Sequence, residues 1–425
     1  MFVHRLLCLS NGAMIEDDGL VLSAPGVADD SLLRSVYPDR SFRPDPSREG
    51  IYRYGSWLPV SRELAASAAP ITFKSEHLAA RLGLERLYIT FSGRWEERGA
   101  NMGTGSFKEC EAWSVLARFP ADSGLAMVVA SAGNTARAFV RAASMSGIRV
   151  VVVVPKSRLS QIWVEGEKGP SVFLVAAVGG DYLDAIRLSE KIAALPGFVR
   201  EGGARNVARR DGLGVCVLSA AEVAGEIPDY YFQAVGSGTG AIAAYEANLR
   251  LNESGDFEPK KMRLMLSQNA PFIPIVEAWR ARRRSFPQVS EPEARASIVE
   301  IDAKTLSNRN PPWAMAGGLH DVLAASGGDV MAVTNPEARQ ARRLFRRLEG
   351  CDISPEAGVA TASLVRQART GGIPKGALVM LNVTGGGHSS ARRDSTVRRV
   401  RPDFEAGIDD FDSDGFLEAY RRFRD

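Results

Sequence analysis

Gly103-Thr104-Gly105-Ser106-Phe107-Lys108-Glu109 sets a lysine in a turn of small residues, directly ahead of the helix-like run 109–116. A single lysine is most simply a surface side chain. At a helix start, however, the dipole's partial positive charge disfavours an ammonium group. An amine placed there suits an imine-forming lysine. Loops elsewhere in the chain decide between the two.

Downstream, 125–130, 150–154 and 172–177 are continuous apolar runs, the pattern of strands buried on both faces. Between and after them, 131–135 opens a helix through Met145, 160–166 reads as helical, and 181–195 reads as another helix. The same grammar returns at 230–235 (strand), 236–240 (glycine loop), a helix to Arg250, and a strand at 263–267. Helices at 337–348 and 355–370 and a strand at 377–382 follow. This alternation implies right-handed crossovers and largely parallel sheets, an α/β fold. Upstream, 72–83 suggests a short helix and 87–91 a strand, while 44–59 reads as a linker packed on the body.

Three strand-to-helix loops lie where open α/β sheets place ligands. Gly236-Ser237-Gly238-Thr239-Gly240 can curl so that several N–H groups converge at a helix start, a cup for a compact phosphate. A tight turn would need only one glycine. Ser131-Ala132-Gly133-Asn134-Thr135 is either an ordinary helix cap or a cup for a carboxylate, with the Asn134 amide beside a planar ligand. Thr384-Gly385-Gly386-Gly387 is either a flexible turn or a hydroxyl plus a close backbone approach to a flat ring. An imine-forming lysine, a phosphate cup and a carboxylate cup are the parts required by pyridoxal phosphate acting on an amino acid.

Composition leaves room for this and narrows the rest. The chain has 425 residues, 45% hydrophobic and 24% charged, ample for two packed domains of an ordinary globular protein. A net charge of +3 does not point to nucleic acid or to a membrane surface. The basic clusters Arg280, Arg282, Arg283, Arg284 and Arg392, Arg393, Arg398, Arg399, Arg401 read as solvated faces. No run approaches the ~20 apolar residues of a membrane span, and the apolar start is short for a signal peptide. Cys8, Cys110, Cys216 and Cys351 are far apart, which fits free thiols in a reducing cytoplasm. Residues 1–37 read as two short strands with turns; Cys8 alone cannot hold a tetrahedral zinc, so no metal is expected. His320 and His388 read as structural, Trp113 and Trp163 as core, and Gln268 and Asn269 as pocket lining.

The order Ser106-Phe107-Lys108, Ser131-Ala132-Gly133-Asn134-Thr135, Gly236-Ser237-Gly238-Thr239-Gly240 and Val383-Thr384-Gly385 resembles the fold-type II pyridoxal phosphate enzymes. That group includes threonine synthase, cysteine synthase and the serine/threonine dehydratases. Within it, Pro70-Ile71-Thr72-Phe73-Lys74-Ser75-Glu76, the stretch 201–212, Leu266-Ser267-Gln268-Asn269-Ala270-Pro271-Phe272 and Asn308-Arg309-Asn310-Pro311-Pro312 are similar to the cysteate synthases, relatives of threonine synthase. The resemblance implies a two-domain, tryptophan synthase β-like fold. Residues 38–115 and 211–402 would form the large cofactor domain and 116–210 the small one. Residues 1–37 would be a zinc-knuckle-like segment that has lost its metal, and 403–425 an acidic tail whose last stretch is an amphipathic helix.

It also implies roles. Lys108 would hold pyridoxal 5'-phosphate through an imine and shuttle the α-proton. Gly236, Ser237, Gly238, Thr239 and Gly240 would grip the cofactor phosphate, Asn134 would bond the ring oxygen, and Thr384 would face the pyridine nitrogen. Ser131, Ala132, Gly133, Asn134 and Thr135 would bind the substrate carboxylate. Asn206 and Arg209 repeat the Asn-x-x-Arg spacing with which threonine synthases hold a phosphoryl group, chemistry suited to a phosphate ester. The plainer interpretation of this stretch is a solvated basic turn. The implied reaction is β-replacement on O-phospho-L-serine: phosphate leaves, and a nucleophile such as sulfite adds to the aminoacrylate. A threonine synthase or dehydratase-type lyase, and a nucleotide-binding module without chemistry, stay open as alternatives. The expected partners are an amino-acid substrate, a second nucleophilic substrate and a second copy of the chain in a homodimer.

Overall fold

The computed structural model describes residues 4–27, 31–389 and 396–424. Its framework is a six-stranded sheet in the order Asp329–Val333, Arg263–Asn269, Tyr230–Ala234, Leu378–Val383, Arg86–Phe91, Ile71–Lys74. All neighbours are parallel except the last pair. Alternate residues face two cores. Tyr231, Leu264, Leu266 and Met380 pack with helices Val207–Ala224 and Thr239–Ser254. Phe232, Met265 and Leu381 pack with helix Pro355–Arg369. Burial on both faces is why these strands read as unbroken apolar runs.

A second sheet is wholly parallel, in the order Phe198–Arg200, Ala126–Ala130, Val150–Pro155, Val172–Ala177, Phe404–Ala406. Its last strand corrects the expected tail at 403–425. Val175, Ala176 and Ala177 pair with Phe404, Glu405 and Ala406. Helix Ser413–Arg424 then lays Phe416 and Tyr420 against Phe173 and Phe198. The amphipathic helix expected there is present, but its apolar face completes the core of the small sheet.

Further elements differ from the sequence reading: the helix expected at 72–83 is confined to His77–Leu82, behind the strand Ile71–Lys74. The expected helix at 160–166 includes a strand instead, Trp163–Glu165, paired antiparallel with Val397–Arg399. The expected linker at 44–59 contains a short helix, Gly50–Trp57, that buries Ile51, Tyr52, Tyr54 and Trp57. Residues 207–224, read in part as a basic turn, form a helix buried along most of its length. Gly212 permits that burial: a Cβ there would lie 2.4 Å from the Cys110 carbonyl oxygen of the helix that begins at Lys108.

The N-terminal segment is a three-stranded antiparallel sheet, Met14–Glu16, Arg5–Cys8 and Leu33–Val36. It is docked by Asp17, which accepts from Arg118 Nε at 2.8 Å and Nη2 at 2.6 Å and contacts His4 Nε2 at 2.8 Å. Cys8 is buried, with its Sγ 3.3 Å from Ser10 Oγ. No helix among the described residues is long and apolar enough to cross a membrane. Of the basic clusters, Arg392 and Arg393 lie outside the described residues.

Candidate active site

The loops at 131–135 and 236–240 follow strands Ala126–Ala130 and Tyr230–Ala234, one from each sheet. The 384–387 loop follows Leu378–Val383, and Lys108 opens helix Lys108–Arg118. All four meet. A cavity of about 110 Å³ is walled by Lys108, the five residues 131–135, Gly236, Ser237, Gly238, Gly240, Arg209 and Thr384. The lysine turn is pinned to the third loop: Phe107 N–H donates to the Thr384 carbonyl at 3.0 Å, and Gly386 N–H to the Gly105 carbonyl at 3.2 Å. The glycines of that loop allow this close backbone contact. A Cβ on Gly385 would sit 2.9 Å from Gly105 O.

The glycine loop fits a phosphate group. A Cβ at Gly236 would lie 2.9 Å from Leu306 Cα, and one at Gly240 would lie 2.7 Å from Gln233 Nε2. Gly238 caps helix Thr239–Ser254 with φ +77, and its Cβ would strike Leu319 Cδ2 at 2.6 Å. Among the described residues, the N–H groups of Gly236, Ser237 and Gly238 are donated to no other backbone carbonyl. Ser237 Oγ and Thr239 Oγ1 lie 2.9 Å apart beside them. Unengaged donors at a helix start, in a loop whose three glycine positions admit no side chain, are the donor set a phosphate monoester takes. Thr384, buried on the cavity wall, offers a neutral hydroxyl. The residues present fit pyridoxal phosphate.

Lys108 is organised by a residue the sequence reading missed. Its Nζ donates to Glu111 Oε2 at 2.8 Å, while Glu111 Oε1 accepts from Thr135 Oγ1 at 2.8 Å and from Arg209 Nη1 at 2.9 Å. Glu111 is fully buried. Burial opposes its charge, but Arg209 and Lys108, with hydrogen bonds from Lys108 and Thr135, outweigh it and hold the carboxyl below its ordinary range. Arg209 also binds Glu201 through Nε at 2.9 Å and through Nη2. Burial acts against the guanidinium charge, and Glu111 and Glu201 more than restore it.

The Asn206–Arg209 pair is not assembled as one clamp. Arg209 faces the cavity. Asn206 instead caps helix Val207–Ala224: its Oδ1 accepts from Ala208 N–H and Arg118 Nη1, both at 3.1 Å, and its Nδ2 donates to the Glu201 carbonyl at 2.8 Å. Within the 131–135 loop, Ser131 Oγ accepts from Gly133 N–H at 3.2 Å, and Asn134 Oδ1 from Arg137 Nη2 at 2.9 Å. Gln268 and Asn269, expected at the pocket, are structural. Gln268 Oε1 accepts from Ile275 and Val276 N–H, and Asn269 Nδ2 bonds the Val333 carbonyl. His320 packs between Trp279 and Trp313.

Residues 96–385 match the family model described as pyridoxal-phosphate dependent enzyme. The chain is 46% identical over 379 residues to the cysteate synthase of Methanosarcina acetivorans, covering 88% of this chain and 90% of that protein. It is 48% identical over 400 residues to the cysteate synthase of Methanoregula boonei, covering 94% and 93%. The chain belongs to the cysteate synthase family of pyridoxal-phosphate dependent enzymes. Diaminopropionate ammonia lyase from Escherichia coli shares the fold at a TM-score of 0.58 and 13% identity, over 78% of this chain and 87% of that one. The fold class, the cofactor and the enzymatic nature expected from the sequence all stand, and a nucleotide-binding module without chemistry is set aside. The signals for Glu111 and Glu201 were present but ordinary. A glutamate in the first turn of a helix reads as a favourable surface charge.

Proposed function

We propose that this protein makes L-cysteate from O-phospho-L-serine and sulfite, a β-replacement in which phosphate leaves the amino acid and sulfite takes its place. The convergence of Lys108 and the 236–240 loop on one cavity carries this reading, together with the family to which the chain belongs. The bound cofactor supplies an electron sink for breaking the Cα–H bond and expelling the β-substituent. Lys108 Nζ is the amine that holds it and then carries the proton to and from Cα. Glu111 positions that amine from 2.8 Å. Gly236, Ser237, Gly238, Thr239 and Gly240 would grip the cofactor phosphate, Asn134 would bond the ring oxygen, and Thr384 would face the pyridine nitrogen. A neutral hydroxyl at that last position, rather than a carboxylate, would stabilise carbanion charge less and so favour elimination and replacement over transamination. Ser131, Ala132, Gly133, Asn134 and Thr135 orient the substrate carboxylate. Arg209 is the cation on the side of the leaving phosphoryl group, and Asn206 acts only through the helix that carries it.

We further place the protein in the cytoplasm, consistent with four free and buried cysteines. A homodimer is the arrangement the family resemblance suggests, and light scattering of the purified protein tests it. For the reaction, O-phosphoserine and O-phosphohomoserine are each offered to the holoenzyme with sulfite or sulfide, and products are weighed by mass spectrometry. Cysteate from O-phosphoserine and sulfite is the expected result. Threonine from O-phosphohomoserine, or a keto acid with no dependence on a nucleophile, would replace this assignment. Borohydride should trap the cofactor on Lys108, and Lys108→Ala should abolish trapping.

A further inference from the structure

We propose that Arg137, at the inner end of a basic cleft, binds the incoming oxyanion nucleophile and sets it beside Asn134. The inference rests on the reaction assigned above and goes beyond it by naming the subsite. Arg137 lies one turn into helix Asn134–Ser146 and is 4% exposed. Its Nη2 donates to Asn134 Oδ1 at 2.9 Å and its Nη1 to the Gln161 carbonyl at 3.3 Å, and its Cζ lies 4.5 Å from the centroid of the Trp163 ring. Arg137 Nε is buried and has no hydrogen-bond partner among the described residues. Neither Nη partner is a carboxylate, and among the described residues Arg137 forms no salt bridge. Burial depresses its pKa to about 10, with Glu109 and Glu356 acting in the opposite direction. A buried guanidinium without an ion-pair partner is costly unless an anion arrives.

The cleft that Arg137 lines has a volume of about 1010 Å³ and shares Ala132, Gly133, Asn134, Thr305 and Glu356 with the cofactor cavity. Arg339, Arg342, Arg343 and Arg346 line it from one face of helix Asn335–Glu349, at the i, i+3, i+4, i+7 spacing. Arg158, Lys304 and Arg399 add to that charge, with Asp302, Asp352 and Glu356 opposing it among the described residues. Such a surplus concentrates small anions and steers them inward. Besides the substrate carboxylate, two anionic groups enter this chemistry: the phosphoryl group of the amino acid and sulfite. The phosphoryl group travels on the substrate whose carboxylate sits in the 131–135 loop, next to Arg209 on the other wall. Sulfite arrives alone, so it needs a site of its own along the approach.

The test separates the two anions. In Arg137→Gln holoenzyme, the KM for sulfite should rise about tenfold or more, the value of a charge-assisted hydrogen bond, with the KM for O-phosphoserine nearly unchanged. Arg137→Lys should recover part of that loss. A rise confined to O-phosphoserine, or no change for sulfite, overturns the proposal. Independently, sulfate, an unreactive dianion of similar shape, is titrated calorimetrically into wild-type and variant holoenzyme. Lost binding in Arg137→Gln supports the subsite, and equal binding refutes it. Should that variant fail to fold, half-buried Arg158→Gln carries the same titration, with a drop in affinity of about threefold expected and none overturning the proposal. A holoenzyme that binds sulfate through Arg137 yet forms no cysteate keeps the subsite and sinks the reaction assigned above.

Discussion

Glu111 links Lys108, Thr135 and Arg209, three residues on different elements, through one buried carboxylate. Removing its charge while keeping its shape leaves two cations without their common anion. Glu111→Gln should therefore lower kcat roughly tenfold to a hundredfold, the cost of one charge-assisted hydrogen bond, with little change in cofactor content. Steady-state rates and the absorbance of the bound cofactor check both parts. At Gly238 the demand is on the backbone. A residue with φ +77 whose Cβ would meet Leu319 Cδ2 at 2.6 Å carries a side chain only with a strained backbone and a shift of Leu319. Gly238→Ala should cost about 1–2 kcal/mol from the left-handed backbone alone and should weaken cofactor retention on dialysis. The three-glycine loop was legible in the sequence because only a cup excludes side chains at alternate positions. Glu111 was not, because nothing in a first-turn glutamate reveals that it will be sealed under a second helix.

The parallel strands were the most legible elements, since a run such as Val150–Pro155 has no polar residue with which to face water. Strand Trp163–Glu165 was hidden, because its partner, Val397–Arg399, lies far along the chain and neither alternates clearly. Helix Val207–Ala224 was hidden for a different reason. It is apolar on nearly every side and carries Gly212 and Gly214 mid-helix, so it shows neither the 3.6-residue stripe nor good propensity. Its first turn looked like a solvated basic patch, yet Arg210 is fully buried, with Nε 2.9 Å from Glu246. The role of Asn206 follows from that helix. Asn206→Ala should lower stability by about 1 kcal/mol or more through the lost cap, visible as a fall in Tm, while the KM for O-phosphoserine stays as it was. A raised KM at unchanged Tm would return Asn206 to the substrate.

Across the whole molecule, two distant segments hold the two sheets in place. Asp17 fastens the N-terminal sheet to Arg118 on the helix that begins with Lys108. Burial alone would raise its pKa, but the bonds from His4 and Arg118 and the Arg118 charge bring it far below the ordinary range. Its stabilisation is thus complete above the unfolded-state value of about 4 and fades as pH falls through the folded one. Urea midpoints should decline below roughly pH 4 in the wild type, and Asp17→Asn should flatten that limb. At the other end, Phe416 is fully buried against Phe173 and Phe198. Phe416→Ala should cost about 3–5 kcal/mol, with proteolysis beginning in the small sheet.

The strand Phe404–Ala406 also orders events in time. A ribosome making this chain completes the other four strands of the small sheet before it starts most of the large one. The outer edge of Val172–Ala177 then waits, bare, until the large sheet has been synthesised. During that interval the growing polypeptide presents an unpaired row of amides to any neighbouring strand. Truncation shortly before Phe404 would make this condition permanent, so a shortened product is expected in the insoluble fraction even though every group around Lys108 is still encoded.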